Sequence, residues 1–226
     1  MFTRTPLIYL AAVAAAFSWS SQAGASGVAV VGGQTSVLLD TSTLSSAASL
    51  DLSGVSSDVI APGNLGAGSV AFEINPTDAP SLPTTFMYDP SDFLGTFSGT
   101  IEHTGSVFFN SDTVEVGNFT IGFDGGRAAG NASGFFVEST TGIAAILFDI
   151  AAPSTLSATG SSLEIEADLL VSPEFASFLL SNALATTDLT GADVGDALVQ
   201  GVAVPEPASL AFGLLAVAGF ATRRRR

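Results

Sequence analysis

The chain has no cysteine and no lysine, one histidine (His103), one tryptophan (Trp19) and two tyrosines in 226 residues. Without cysteine there is no disulfide, no thiol nucleophile and no zinc–thiolate site. The basic residues are six arginines, and five of them lie at the ends: Arg4, then Arg223, Arg224, Arg225 and Arg226. The stretch from Ser26 to Glu206 keeps Arg127 alone. It carries all 21 acidic residues, so 21 carboxylates less one guanidinium leave a formal charge of −20. Such a body stays soluble and repels nucleic acid and anionic lipid. It has no basic cluster for phosphate, but it attracts cations or a basic partner. About 180 residues suffice for one sizeable core, which removes the need for disulfides.

Enzyme chemistry finds few residues to use. A Ser-His-Asp arrangement would need His103, with Glu102 beside it and Ser98 or Ser106 as nucleophile. On an extended strand Glu102 and His103 face opposite ways, so they do not pair directly. Neither Gly-x-Ser-x-Gly nor His-Glu-x-x-His occurs. Glu164 and Glu166 share a strand face, yet on the exposed side of a clean alternation, which suits solubility better than glycoside hydrolysis. Gly125, Gly126 and Gly130 make no dinucleotide fingerprint. Calcium is the more natural ligand, because Asp188, Asp193 and Asp196 fall in a Gly-containing loop and Asp89 and Asp92 flank a Pro turn. Neither stretch has the EF-hand spacing, and solvated turns explain both. The expectation is a body with no catalytic residues, no resident metal and no cofactor. Asn118-Phe119-Thr120 and Asn131-Ala132-Ser133 match the N-glycosylation sequon, and a turn already accounts for Asn118.

The two ends carry more information. At the N-terminus, Arg4 precedes the apolar run Leu7–Phe17, which has the length of a signal-peptide core and is too short to span a bilayer. Ala23-Gly24-Ala25 is an Ala-x-Ala site, so residues 1–25 read as a signal peptide cut after Ala25 by signal peptidase on the Sec route. Trp19 leaves with it. At the C-terminus come Val204-Pro205-Glu206-Pro207, the uncharged run Ala208–Ala221, Thr222 and the four terminal arginines. As a helix the run is about 21 Å long, short of a hydrocarbon core of ~30 Å. Arg223, Arg224, Arg225 and Arg226 form a membrane stop and, by the positive-inside rule, stay cytoplasmic. A short span with a rigid Pro-Glu-Pro flag before it suits a temporary tether.

Those three parts, in that order, resemble the PEP-CTERM sorting signal of Gram-negative bacteria. The same tail is also labelled after the C-terminus of an ice-binding protein, a label that describes the tail and implies no ice binding. The resemblance covers residues 204–226. It implies a sorting motif at Val204, Pro205, Glu206 and Pro207, cutting by a membrane peptidase called exosortase, and a host that makes exopolysaccharide. The runs Ser98–Gly105 and Gly117–Asp124 also resemble segments of other proteins bearing this tail, and imply no activity.

Between the ends, period-two patterning predicts strands. Ser69–Ile74, Thr84–Tyr88 and Leu163–Val171 alternate, and Phe119, Ile121 and Phe123 share a face. Further strand candidates are Thr35–Asp40, Phe93–Ser98, Ser106–Asn110, Gly134–Glu138, Ala144–Asp149 and Leu198–Val204. Val116 and Phe119 are both apolar and three apart, so the phase breaks at Gly117-Asn118 and a bulge or tight turn is expected there. One helix is expected, Pro173–Ser181, with Ser172 as cap and Pro173 at the first position. The stretch Leu38–Asp58 is ambiguous. Arg127 needs a carboxylate, and Asp124 is nearest along the chain.

The sequence thus predicts a mainly β chain: an antiparallel β-sandwich with one short helix over residues 26–203. A signal-peptide helix over 1–25 and a transmembrane helix within the sorting segment 204–226 complete the precursor. The functional expectation is an exported surface or extracellular-matrix protein of structural or interaction type, tethered briefly in the inner membrane and then freed or transferred. Its partners are the exosortase-type peptidase and extracellular polysaccharide, with no nucleic acid. A carbohydrate-binding module, with or without calcium, is the second reading. It is weakened by a body that keeps no tryptophan.

Overall fold

In the computed structural model, which describes residues 27–206, the alternating segments pair into one 12-stranded antiparallel sheet. The strands are β1 (Val28–Leu39), β2 (Leu52–Val55), β3 (Val70–Glu73), β4 (Met87–Tyr88), β5 (Ile101–Glu102) and β6 (Ser106–Phe109). They continue with β7 (Val114–Phe123), β8 (Ala132–Gly142), β9 (Ala145–Ala151), β10 (Thr155–Ala158), β11 (Ser162–Val171) and β12 (Asp193–Pro205). The main path runs β2-β6-β7-β8-β9-β11-β12-β1-β3; β10 flanks β11, β4 flanks β1 and β5 flanks β7.

The path comes back on itself. An antiparallel bridge joins Ile74, just past β3, to His103, just past β5, and Asn75 N donates to Glu102 O at 2.8 Å. Because β5 pairs with β7 through Ile101↔Ile121 and Glu102↔Thr120, the ladder that leaves β7 through β8 returns to it. The mainly β, antiparallel expectation holds, while the two face-to-face sheets of a sandwich are replaced by one sheet curled round its own core. The physical reason lies in the long strands. β1, β7, β8, β11 and β12 are paired on both flanks, so the ladder has no gap at which to split, and register shifts at Val30/Gly32 and Asp168/Leu170 help it bend.

The expected helix Pro173–Ser181 forms with those bounds as α3. Ser172 Oγ accepts from Phe175 N at 3.0 Å and donates to Ile146 O at 2.7 Å, and Phe175, Ala176 and Leu179 are buried. Two further helices correct the single-helix expectation. The ambiguous stretch holds α1 (Thr41–Ala48), whose cap is Asp40. That carboxylate accepts from the amides and hydroxyls of Ser42 and Thr43, which hold its pKa down at about 2. The predicted strand Phe93–Ser98 is instead a single turn, α2 (Phe93–Thr96), because Phe93 and Phe97, four apart, both turn inward onto Phe86. None of the helices among the described residues is long and apolar enough to cross a membrane. The expectations placed on Ala23 and Ala25, on Pro207 and the run Ala208–Ala221, and on Arg223, Arg224, Arg225 and Arg226 lie outside the described residues.

Strand direction fixes what closes each end. β1 and β11 both run antiparallel to β12, hence parallel to each other, so Leu39 and Val171 emerge at the same end. α1 and α3 follow there and set Leu44 and Phe175 into the interior. The opposite end holds Phe86, Tyr88, Phe93 and Phe97, whose rings lie 5.4–6.3 Å apart in contacting pairs. The Tyr88 hydroxyl is shared between the carbonyls of Thr159 (2.8 Å) and Ser162 (2.9 Å), which satisfies the polar tip of a buried ring. Phe119 and Ile121 are buried as their alternation predicts, but Phe123, at the end of β7, is 44% exposed.

Candidate functional site

Between the helical end and the aromatic end the sheet leaves an apolar cavity of about 80 Å³. Its wall is drawn from nearly every long strand, with Val37, Phe72, Val107, Ile121, Leu169 and Val199 among the contributors. Thr35 and His103 are its polar members.

The two runs singled out in the sequence, Ser98–Gly105 and Gly117–Asp124, lie side by side and build the setting of His103. The phase of β7 changes between Val116 and Phe119 as expected, at Asn118, which takes a left-handed conformation with φ 50°. Ser106 pairs with Gly117 and Glu102 with Thr120, so residues 103–105 on one strand face only 118–119 on the other. The extra residue makes a bulge. Asn118 N donates to Gly105 O at 2.8 Å, and Asn118 Oδ1 accepts from Gly105 N at 3.3 Å. Gly105 has φ 121°, which favours glycine, and a Cβ there would crowd Val59 at 3.0 Å and Phe72 at 3.2 Å. The Asn118 side chain also donates to Thr141 Oγ1 at 2.8 Å, so the first sequon lies within a structural turn.

His103 is 1% exposed. Its Nδ1 faces the Phe119 carbonyl at 3.1 Å, and a carbonyl only accepts, so Nδ1 carries the proton. Nε2 is then an acceptor and takes the Thr35 hydroxyl at 2.7 Å. Burial pushes the imidazole pKa down to about 4 and keeps the ring neutral at ordinary pH. Glu102, as expected, lies on the other side of the strand, where its carboxylate accepts from Thr120 Oγ1 at 2.6 Å. The hydroxyl that reaches the ring belongs to Thr35; Ser106 donates instead to Glu115 at 2.7 Å. Sequence reasoning missed Thr35, whose only signal is its place at an inward position of β1.

Arg127 does not pair with Asp124. Its Nε donates to Asp149 Oδ1 at 2.7 Å, and Nη1 and Nη2 donate to the two Glu174 oxygens at 2.7 and 2.9 Å. The guanidinium also lies 5.9 Å from the Phe136 ring centre. Only 14% of its side chain is exposed, so the single cation of the body ties the turn Gly125–Arg127 to β9 and to the start of α3. Glu174, paired this way, titrates near 2. Asp124 caps the turn, accepting from Gly126 N at 2.8 Å.

The acidic loops are self-contained. Asp188 accepts from Thr190, Asp193 from Gly195 N, Asp89 from Ser91 and Asp92 from Gly95 N. Among the described residues no group of three or more acidic or histidine side chains converges as a metal site. Tyr88 is buried, and Phe123, 44% exposed, packs against the half-buried rings of Phe97 and Phe135 at 4.8 and 5.1 Å.

Of the residues expected to form a sorting motif, Val204 and Pro205 are the last two of β12, paired with Ala29 and Val28, and the Glu206 amide donates to Gly27 O at 3.0 Å. The strand therefore continues two residues past 203, the expected end of the body. All three motif residues described, Val204 to Glu206, are exposed.

No protein-family profile matches the chain, and no curated protein does. The chain is similar to a solved structure, the C-terminal domain of HtaA from Corynebacterium glutamicum, with a TM-score of 0.49 and 16% identity over 78% of this chain and 99% of that chain.

Proposed function

We propose that this chain is an exported, non-catalytic body of structural or interaction type. On this reading it is carried across the inner membrane by its N-terminal segment and cut at Pro205-Glu206-Pro207 by an exosortase-type peptidase. It then resides at the cell surface or in an extracellular polysaccharide matrix. The observation that carries this reading is the meeting of the two borders. Val28 pairs with Pro205, and Glu206 N reaches Gly27 O, so the first and last described residues, which adjoin the two expected cut sites in sequence, lie side by side. Removing both segments cuts no strand short of Pro205. Val204 and Pro205 end an exposed strand, and Pro205 and Pro207 disfavour a helix, which suits the extended form in which a peptidase binds backbone.

Mass spectrometry of the exported protein tests the proposal. A mature C-terminus near residue 206 is the expected result, and an intact C-terminus at Arg226 overturns processing. Replacing Pro205-Glu206-Pro207 with three alanines should leave uncut precursor in the membrane fraction.

A further inference from the structure

The cavity inside the curled sheet is independent of how the ends are read, and nothing in the export route needs it. Inward residues that should be sealed are only half-buried. Val37 and Leu39 of β1, Val137 of β8, Phe148 of β9 and Ile165 of β11 all line it. Interiors are normally packed as densely as organic crystals, and an empty apolar hole destabilises a fold in proportion to its volume. Small changes would have filled this one, since Ala167 and Ala197 both stand on its wall.

The chemistry of the wall selects the occupant. Thr35 and His103 spend their polar atoms on each other and on the Phe119 carbonyl. No buried side-chain nitrogen or oxygen among the described residues lacks a partner. Water needs two or more polar partners to stay in such a place, and this wall, with almost no polar surface, offers at most a lone pair of the Thr35 hydroxyl. A guest with a hydroxyl or a charge would have to bury it against a wall that leaves most of its hydrogen-bonding capacity unmet. The volume, about 80 Å³, is roughly half that of an engineered apolar cavity of ~150 Å³ that takes benzene or xenon.

We propose that this cavity is a binding site for a small, uncharged, wholly apolar molecule, no larger than a single six-membered ring. The guest lies between the helical end and the Thr35–His103 pair. It is held by contact with aliphatic and aromatic walls and by no hydrogen bond.

The test uses the purified full chain with methyl-labelled NMR and two kinds of probe. Xenon should move the methyl signals of Val37, Leu169 and Val199 with a saturable dependence on pressure, and leave Val202 and Val204, exposed on β12, in place. A linear response of equal size at both sets of methyls would overturn the proposal. Benzene should raise the thermal midpoint, with phenol binding roughly fivefold or more weakly, because its hydroxyl would be buried in a wall that is almost wholly apolar. Equal affinities would refute an apolar site. Ala197→Val places extra carbon in the cavity and should abolish the xenon response in a folded variant. A response that persists there puts the guest elsewhere and defeats the assignment. Should that variant not fold, the wild-type xenon titration decides alone.

Discussion

The Thr35 hydroxyl donates to His103 Nε2 across 2.7 Å although the two residues stand 68 positions apart, and neither has another side-chain partner. The ring's other nitrogen is committed to the Phe119 carbonyl, so the imidazole cannot switch tautomer to escape the loss of its donor. Thr35→Val should therefore lower unfolding stability by about 1–3 kcal/mol, the cost of one buried acceptor left unmet. Thr35→Ser, which keeps the hydroxyl and loses a methyl, should lose less. Urea titration at pH 7.5 separates the two.

The same ring sets an acid limit. Its folded pKa is about 4, below the ordinary histidine value of 6.5, so between those values the unfolded chain binds a proton that the folded chain refuses. Stability then falls as pH drops from 6.5 towards 4, by an amount on the order of 3 kcal/mol in full. Glu174 acts lower. Its pKa is depressed from 4.5 to about 2, chiefly by the hydrogen bond from Arg127, so its contribution is present above 4.5 and lost on the way to 2. Its side chain is 44% exposed, and solvent screening makes that second loss the smaller. Urea midpoints followed from pH 7.5 to 4 should fall for the native chain and flatten for His103→Gln.

Arg127→Ala should cost about 1–3 kcal/mol, between the values for exposed and fully buried pairs, because it strands Asp149, whose side chain is 13% exposed, along with Glu174. Asp124→Ala, which removes only a turn cap, should change stability by about 0.5–1 kcal/mol. Reversal of that order in guanidinium melts would mean that the turn is held by Asp124 after all.

Asp168 and Asp196 are directly opposed on β11 and β12. Burial raises the Asp196 pKa, and the charges of Asp168, Asp193 and Glu166 raise it further. A carboxyl whose folded pKa is raised destabilises the fold while ionised, so Asp196→Asn should add up to about 1 kcal/mol at neutral pH. Thermal melts should show the gain shrinking as salt is added.

What the sequence revealed, and what it hid, follows the range of the forces. The helix Pro173–Ser181 was legible in full because its cap, its proline and its apolar spacing all lie within ten residues. The phase break at Gly117-Asn118 was legible for the same reason. The partners of Arg127 were not, since Asp149 and Glu174 lie 22 and 47 positions away and only the packing of α3 on β9 brings them in. Phe93–Ser98 has the composition of a strand, yet the Phe86 ring recruits Phe93 and Phe97 from one side of a helical turn. α1 was hidden by its serines and threonines, which favour helices weakly. Its signals were Asp40 and the Leu44–Ala48 spacing. The site around His103 was the least legible part. Glu-His-Thr-Gly reads as extended strand, but nothing local tells that the bridge from Ile74 closes the sheet over it.

The strand that ends in Val204-Pro205 is β12, which pairs with β1 as far as Pro205 on one side and with β11 as far as Val202 on the other. Anything tethered through that end hangs from an interior strand. A pull along the tether slides β12 past two neighbours at once, so many hydrogen bonds must give way together. A pull at an edge strand, or one applied between Gly27 and Glu206, would open the pairs in succession, as a zipper opens. β12 shares this two-sided pairing with β1, β7, β8 and β11, so a load taken at this end falls on an interior strand. If the proposed tethering holds, force reaches the body through an interior strand and not through an edge.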